Sequence, residues 1–195
     1  MKLDVKTGKI LWRTSMLPDN RGAPGGYAGS AIWGSSPAID PSHNAVFIAT
    51  GNLYSSPPDV VACEKKQLNK TVRDIPDPCI RKADHSESVV ALDLGTGAIV
   101  WANHLGEYDT WVFACASTGN PNCPAIPGPD FDFGQAPMLL RNVDVPSSST
   151  HSRSDKKSCV DILVVAQKSG FVYALRADNG STLWTTVSYC NSNHQ

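Results

Sequence analysis

Short apolar runs rich in Val, Ile, Ala and Leu recur along the chain, separated by Gly, Pro, Asp and Ser, and no stretch sustains a helical period. Four of them, Ala31–Ile39, Ala45–Thr50, Ser88–Asp93 and Ala98–Asn103, form a first set. A second set comprises Gln135–Arg141, Asp161–Gln167, Phe171–Arg176 and Ser181–Val187, with Lys168-Ser169-Gly170 as the turn between its middle pair. The expected class is all-β, with no helix.

A repeat organises these runs. Leu3-Asp4-Val5-Lys6-Thr7-Gly8-Lys9-Ile10-Leu11-Trp12 is echoed by Leu92-Asp93-Leu94-Gly95-Thr96-Gly97-Ala98-Ile99-Val100-Trp101 and, more loosely, by Leu175–Trp184. Each copy reads as a β-hairpin in which a strand ends at an Asp or Asn turn, a Gly takes positive φ, and the next strand carries the Trp. Between successive tryptophans lie four short runs, the strand count of one propeller blade. The 89- and 83-residue spacings between tryptophans exceed one blade. The surplus falls in three insertions, Leu53–Glu87, His104–Gly134 and Asn142–Val160, the last containing the Ser-rich segment Pro146–Lys157.

The expected organisation is a single partial propeller domain, 1–195, of about two four-stranded blades plus a trailing hairpin. Residues 1–14 form the hairpin of a preceding blade, 31–103 a blade with insertion 53–87, 104–134 an inter-blade insertion, and 135–187 a blade with insertion 142–160. Propeller blades hide their faces against neighbours on both sides. Two blades and a hairpin cannot close a ring, so the chain reads as a fragment whose partners include the missing propeller blades.

Charge narrows the function classes. With 17 basic and 18 acidic residues and a net charge of −1, the chain has no basic patch interleaved with aromatics, which argues against nucleic acid. No apolar run is long enough to span a membrane, and no signal peptide is visible. The six cysteines show neither CxxC nor CxxCH spacing. Disulfides fit better than a metal site. Cys115 and Cys123, in one Pro-rich loop, are the first pairing expected and Cys63 with Cys79 the second, out of about 15 possible arrangements. Together with the sequons Asn69-Lys70-Thr71 and Asn179-Gly180-Ser181, this points to an extracellular or periplasmic protein.

The Asp-x-x-Thr-Gly-x-x-x-Trp hairpin resembles the tryptophan-docking repeat of quinoprotein alcohol dehydrogenases. The segments Trp33–Asp40, Phe47–Asn52 and Asp130–Gly134 are similar to the polyvinyl-alcohol-dehydrogenase-like branch. The resemblance covers essentially the whole chain and implies a partial eight-bladed β-propeller with pyrroloquinoline quinone (PQQ) beside a Ca²⁺ ion in its axial channel. By local motif it assigns Trp33 to stacking on the quinone, Asn52 and Asp132 to the cation, Asp132 to catalysis as the base, and Lys168 to the quinone oxygens. Asp130 is the alternative to Asp132. The bland readings are a core Trp, a Gly-Asn turn, a loop Asp and a hairpin-turn Lys.

Two departures matter. The family's adjacent cysteine pair does not occur, and its glutamate ligand would lie upstream of Met1, so the chain by itself is expected to bind the quinone weakly or not at all. The implied function is oxidation of a small-molecule or polymeric alcohol by hydride transfer to PQQ, with Ca²⁺ as Lewis acid. The alternative is a non-catalytic propeller scaffold or binding module. Dehydrogenase chemistry requires Trp33, Asn52, Asp132 and Lys168 to face one ligand; a scaffold does not.

Overall fold

A computed structural model describes residues 1–187 apart from 35, 73, 75 and 146–157. Cys190 and the segment Pro146–Lys157 fall outside the described residues. In chain order the elements are β1 (Lys2–Leu3), β2 (Ile10–Trp12), β3 (Ala28–Gly29), β4 (Ala38–Asp40), β5 (Ala45–Ala49), β6 (Leu53–Ser55) and α1 (Pro58–Leu68). Then follow β7 (Ser88–Asp93), β8 (Ile99–His104), a 3₁₀ turn (Phe113–Ala116), β9 (Met138–Val145), β10 (Ser158–Ala166), β11 (Phe171–Arg176) and β12 (Thr182–Val187). Two four-stranded antiparallel sheets dominate, ordered β4-β5-β7-β8 and β9-β10-β11-β12, each running along the chain without crossover.

The alternation within the central strands explains the layering. Ala45, Phe47 and Ala49 of β5 and Val89 and Ala91 of β7 point to one face, where Leu163, Val165, Tyr173 and Leu175 of the second sheet meet them. Val46, Ile48, Val90 and Leu92 point to the opposite face and pack with Met16 and Trp12. Both faces of the first sheet are therefore buried, which is why β5 is apolar throughout and β7 is apolar from Val89 to Leu92. Polar links also bind the sheets: Arg141 on β9 donates to Asp40 of β4 at 2.6 Å and to Asp161 at 3.0 Å.

The repeated hairpins dock on one another by the same set of contacts. Trp12 Nε1 donates to the Leu94 carbonyl at 3.2 Å, and Trp101 Nε1 donates to the Ala177 carbonyl at 3.1 Å. Two residues beyond each indole, Thr14 Oγ1 donates to the Gly97 carbonyl and Asn103 Nδ2 to that of Gly180. Gly97 (φ +75°) and Gly180 (φ +73°) lie directly against the two rings, where a Cβ would overlap the indole. Glycine is required twice over, by backbone conformation and by contact. The turns are braced from within: the Oδ1 atoms of Asp4 and Asp93 each accept from two backbone N–H groups and a threonine hydroxyl. The third copy has Arg176 at that position and uses an Arg176–Asp178 ion pair instead.

Three expectations need correction. The insertion after β6 contains a helix, α1, where none was expected. Its ends are orthodox, with Pro58 in the first turn, Asp59 near the N-terminus and Lys65 and Lys66 near the C-terminus. Its buried positions Val60, Glu64 and Gln67 have helical spacing, but two of the three are polar, so no apolar stripe marks it. The first run begins as a strand at Ala38, not Ala31, because Gly34 takes φ +85° and Pro37 follows. The third insertion is shorter than expected, since β9 continues to Val145 and β10 resumes at Ser158, with a register shift between Val160 and Ile162. A small β3–β6 sheet is also added.

Trp101 is packed and Trp184 is 45% exposed, so the two should respond differently to truncation. Trp101→Ala is expected to destabilise the fold by about 3 kcal/mol, and Trp184→Ala by under about 1 kcal/mol, as read from urea unfolding monitored by far-UV circular dichroism.

Candidate functional site

Strand β5 ends at Ala49, and Thr50-Gly51-Asn52 carries the chain from the buried interface towards an open pocket. Asn52 is buried. Its backbone N–H donates to Asp132 Oδ1 at 2.8 Å, while its side-chain Nδ2 donates to the Trp111 carbonyl at 2.7 Å and to Asp109 Oδ1 at 3.3 Å. Among the described residues no hydrogen bond engages its Oδ1. Gly51 is glycine for a steric reason: a Cβ there would overlap Asp132 Oδ1 and lie 2.8 Å from Trp33 Nε1. The carboxylate and the indole close over this bare backbone.

Asp132 reaches the same place from the loop between β8 and β9, and Lys168 from the β10–β11 turn. Lys168 Nζ donates to Asp132 Oδ2 at 2.6 Å and to Asp130 at 3.1 and 3.2 Å, and its backbone N–H donates to the Asp132 carbonyl at 3.0 Å. Partial burial works against the ammonium charge, but the Asp132 and Asp130 carboxylates outweigh it and raise the Lys168 pKa. Partial burial raises the Asp130 carboxyl, although Lys168 pulls it down.

Trp33, Asn52, Asp132 and Lys168, singled out from four separate stretches of sequence, line one cavity of about 400 Å³. Asp130, Tyr54, Trp111, Val112 and Phe113 complete its walls. The lining therefore combines polar groups, two carboxylates, an amide and an ammonium, with four aromatic rings and a valine. Asn52 and Asp132 are hard oxygen donors of the kind a divalent cation prefers, and the 45%-exposed Trp33 offers a flat face to a planar ligand. A larger cleft of about 640 Å³ lies between residues 74–85 and the flank of β7 and β8, and none of these four residues lines it.

Two buried carboxyl groups behind the pocket were not legible in the sequence. Asp109 ties the loop together: Oδ1 accepts from the Trp111 N–H at 2.9 Å as well as from Asn52, and Oδ2 accepts from the Phe131 N–H at 2.9 Å. Gly128 packs on it too closely for a Cβ. Glu87, fully buried, accepts from Gln167 Nε2 at 2.7 Å through Oε2, while Oε1 has no partner. Burial, reinforced by repulsion from Asp109, pushes its pKa to about 8 despite the Gln167 bond. Only Asp-x-Trp spacing in a Pro-rich loop hinted at Asp109, and nothing local distinguished Glu87.

Both expected disulfides are present. Cys63–Cys79 fastens α1 to the loop that follows it, and Cys115–Cys123 closes the loop that bears Trp111 and Phe113.

No family model matches the chain. Its sequence is 30% identical to a polyvinyl alcohol dehydrogenase from Pseudomonas sp and 31% identical to one from Sphingopyxis sp. (strain 113P3), in each case across 93% of this chain and 24% of the relative. The chain thus spans about a quarter of the length of these curated relatives. Among solved structures it is similar to quinohemoprotein alcohol dehydrogenases from Comamonas testosteroni (TM-score 0.50, 20% identity, 83% of this chain and 18% of that one) and Pseudomonas putida HK5 (0.54, 19%, 95% and 23%). A europium-containing methanol dehydrogenase gives 0.52 at 17% identity, over 95% of this chain and 28% of that one. The fold is that of a segment of a dehydrogenase β-propeller. The chain's sequence relatives are polyvinyl alcohol dehydrogenases, and its structural neighbours are quinohemoprotein alcohol and methanol dehydrogenases.

Glu87 generates a pH prediction. The unfolded chain releases this proton near 4.5 and the folded chain near 8, so the stability from keeping Glu87 neutral is present below about 4.5 and lost as pH rises through 8. Thermal unfolding followed across that range should show a falling midpoint, and Glu87→Gln should make the fall shallower.

Proposed function

We propose that this chain contributes part of the active site of a quinone-dependent alcohol dehydrogenase. The observation that carries the reading is that Trp33, Asn52, Asp132 and Lys168 face a single pocket. The relatives' names supply the reaction class, alcohol oxidation, and the structural neighbours imply a quinone and a metal. When bound, PQQ would supply the acceptor for the electron pair and Ca²⁺ the Lewis acidity.

In this reading Asn52 Oδ1 and Asp132 hold the cation, and Trp33 and Lys168 face the quinone. Asp132 acts as the base. Each of its oxygens already accepts one hydrogen bond, Oδ1 from the Asn52 N–H and Oδ2 from Lys168 Nζ, so the proton from the alcohol hydroxyl goes to a remaining lone pair of this carboxylate. When Asp132 is neutralised, Lys168 keeps a counter-charge in Asp130, and its ammonium remains aimed at the pocket. Asp109 and Gly51 act indirectly, the first by orienting the Asn52 amide and the second by leaving room for Asp132 and Trp33.

The substrate class is a small-molecule or polymeric alcohol. Two disulfides favour an oxidising compartment, extracellular or periplasmic. No helix among the described residues is long and apolar enough to cross a membrane.

The test is to titrate the full-length protein with PQQ and Ca²⁺ and to follow dye reduction with a panel of alcohols. Asp132→Asn keeps the shape and the Asn52 contact but removes the base, so kcat should fall by about 10²–10⁴-fold with quinone affinity little changed. Undiminished turnover in that variant would remove Asp132 from the mechanism. Absence of quinone binding in the full-length wild type would favour the scaffold reading.

A further inference from the structure

The loop after β8 contributes three consecutive apolar residues, Trp111, Val112 and Phe113, to the pocket wall. Phe113 is 85% exposed yet lines the pocket together with Trp111 and Tyr54. The chain around it is firmly held. The Trp111 N–H is fixed by Asp109, Thr110 bonds the Pro127 and Ile126 carbonyls at 2.8 and 2.7 Å, and the 3₁₀ turn that starts at Phe113 is closed by Cys115–Cys123. An aromatic ring presented to solvent on a braced loop loses little freedom when a ligand covers it. The ring is also part of the wall of the pocket that Asp132 and Lys168 line.

Resting on the alcohol-oxidation reading above, we infer that Phe113 is a specificity-determining residue that selects chain alcohols over small ones. With its reacting carbon at Asp132, a one- to three-carbon alcohol stays among the polar groups. A methylene-rich hydroxylated chain continues past Tyr54 and Trp111 and lays its CH₂ groups against Phe113, with its remaining hydroxyls in water. The Cys115–Cys123 bridge is a positioning device for this ring, because opening it frees the turn that carries Phe113.

Two measurements test this. The first needs no cofactor: native electrophoresis through gels containing dissolved polyvinyl alcohol. The wild-type protein should be retarded, Phe113→Ala should lose most of the retardation, and Phe113→Leu should keep part of it. The double variant Cys115→Ser with Cys123→Ser should behave like Phe113→Ala. The second uses the protein loaded with PQQ and Ca²⁺. Phe113→Ala should lower kcat/KM for the polymer about tenfold while changing that for 2-propanol less than about twofold, a split that general loss of folding would not produce. Equal retardation of wild type and Phe113→Ala, no retardation of either, or a parallel fall on both substrates overturns the role of Phe113 and leaves alcohol oxidation standing. Retardation that depends on Phe113 in a loaded protein that oxidises no alcohol supports the chain-binding rim and overturns the dehydrogenase reading.

Discussion

An indole pressed against a glycine turn is the contact on which the arrangement of this chain depends. It occurs twice, at Trp12 on Gly97 and at Trp101 on Gly180, each time with a ring N–H bond to a carbonyl and a second polar anchor two residues later. A ring in van der Waals contact with backbone leaves no slack for sliding, and the two hydrogen bonds fix its direction. Because the same contacts recur, successive hairpins meet their neighbours in the same way. The apolar layer between the two sheets, with Phe47, Leu163 and Leu175 at its centre, is assembled on that registration.

The pocket is built where this interface ends. β5 delivers Gly51 and Asn52 from one sheet, the β10–β11 turn delivers Lys168 from the other, and the loop between them delivers Asp109, Asp130 and Asp132. Glu87, Asp109, Asp130 and Asp132 bring four carboxyl groups near one ammonium. That excess of potential negative charge is relieved in two ways: Lys168 bridges Asp130 and Asp132, and Glu87 keeps its proton. An added divalent cation would enter a region already short of positive charge, in keeping with the oxygen donors available there.

The parts legible in the sequence were those set by local chemistry. The Asp, Gly and Trp of the first two hairpins lie close together in the sequence, although each Trp acts on the Gly of the next hairpin, and the middle strands carry their double burial openly as apolar runs. Cys115 and Cys123 were readable as a pair because they share a short loop. The helix α1 was hidden because its inward face is Val60, Glu64 and Gln67, a pattern that only tertiary partners make sense of. Asp109 and Glu87 were hidden for a related reason, since the burial of a carboxyl group is decided by residues far away in the chain. Trp33, Asn52, Asp132 and Lys168 were reached through family motifs; their shared pocket is a product of the fold, and no spacing rule would have brought them together.

That division of the pocket between two sheets has a consequence for how such a protein can vary. Neither sheet owns the site: one supplies the amide, the other the ammonium, and the carboxylates hang from the strap that joins them. Duplication or exchange of a single wedge would preserve the packing of the ring and yet separate the partners of the pocket. Only the pair, inherited together with its strap, is a transferable unit.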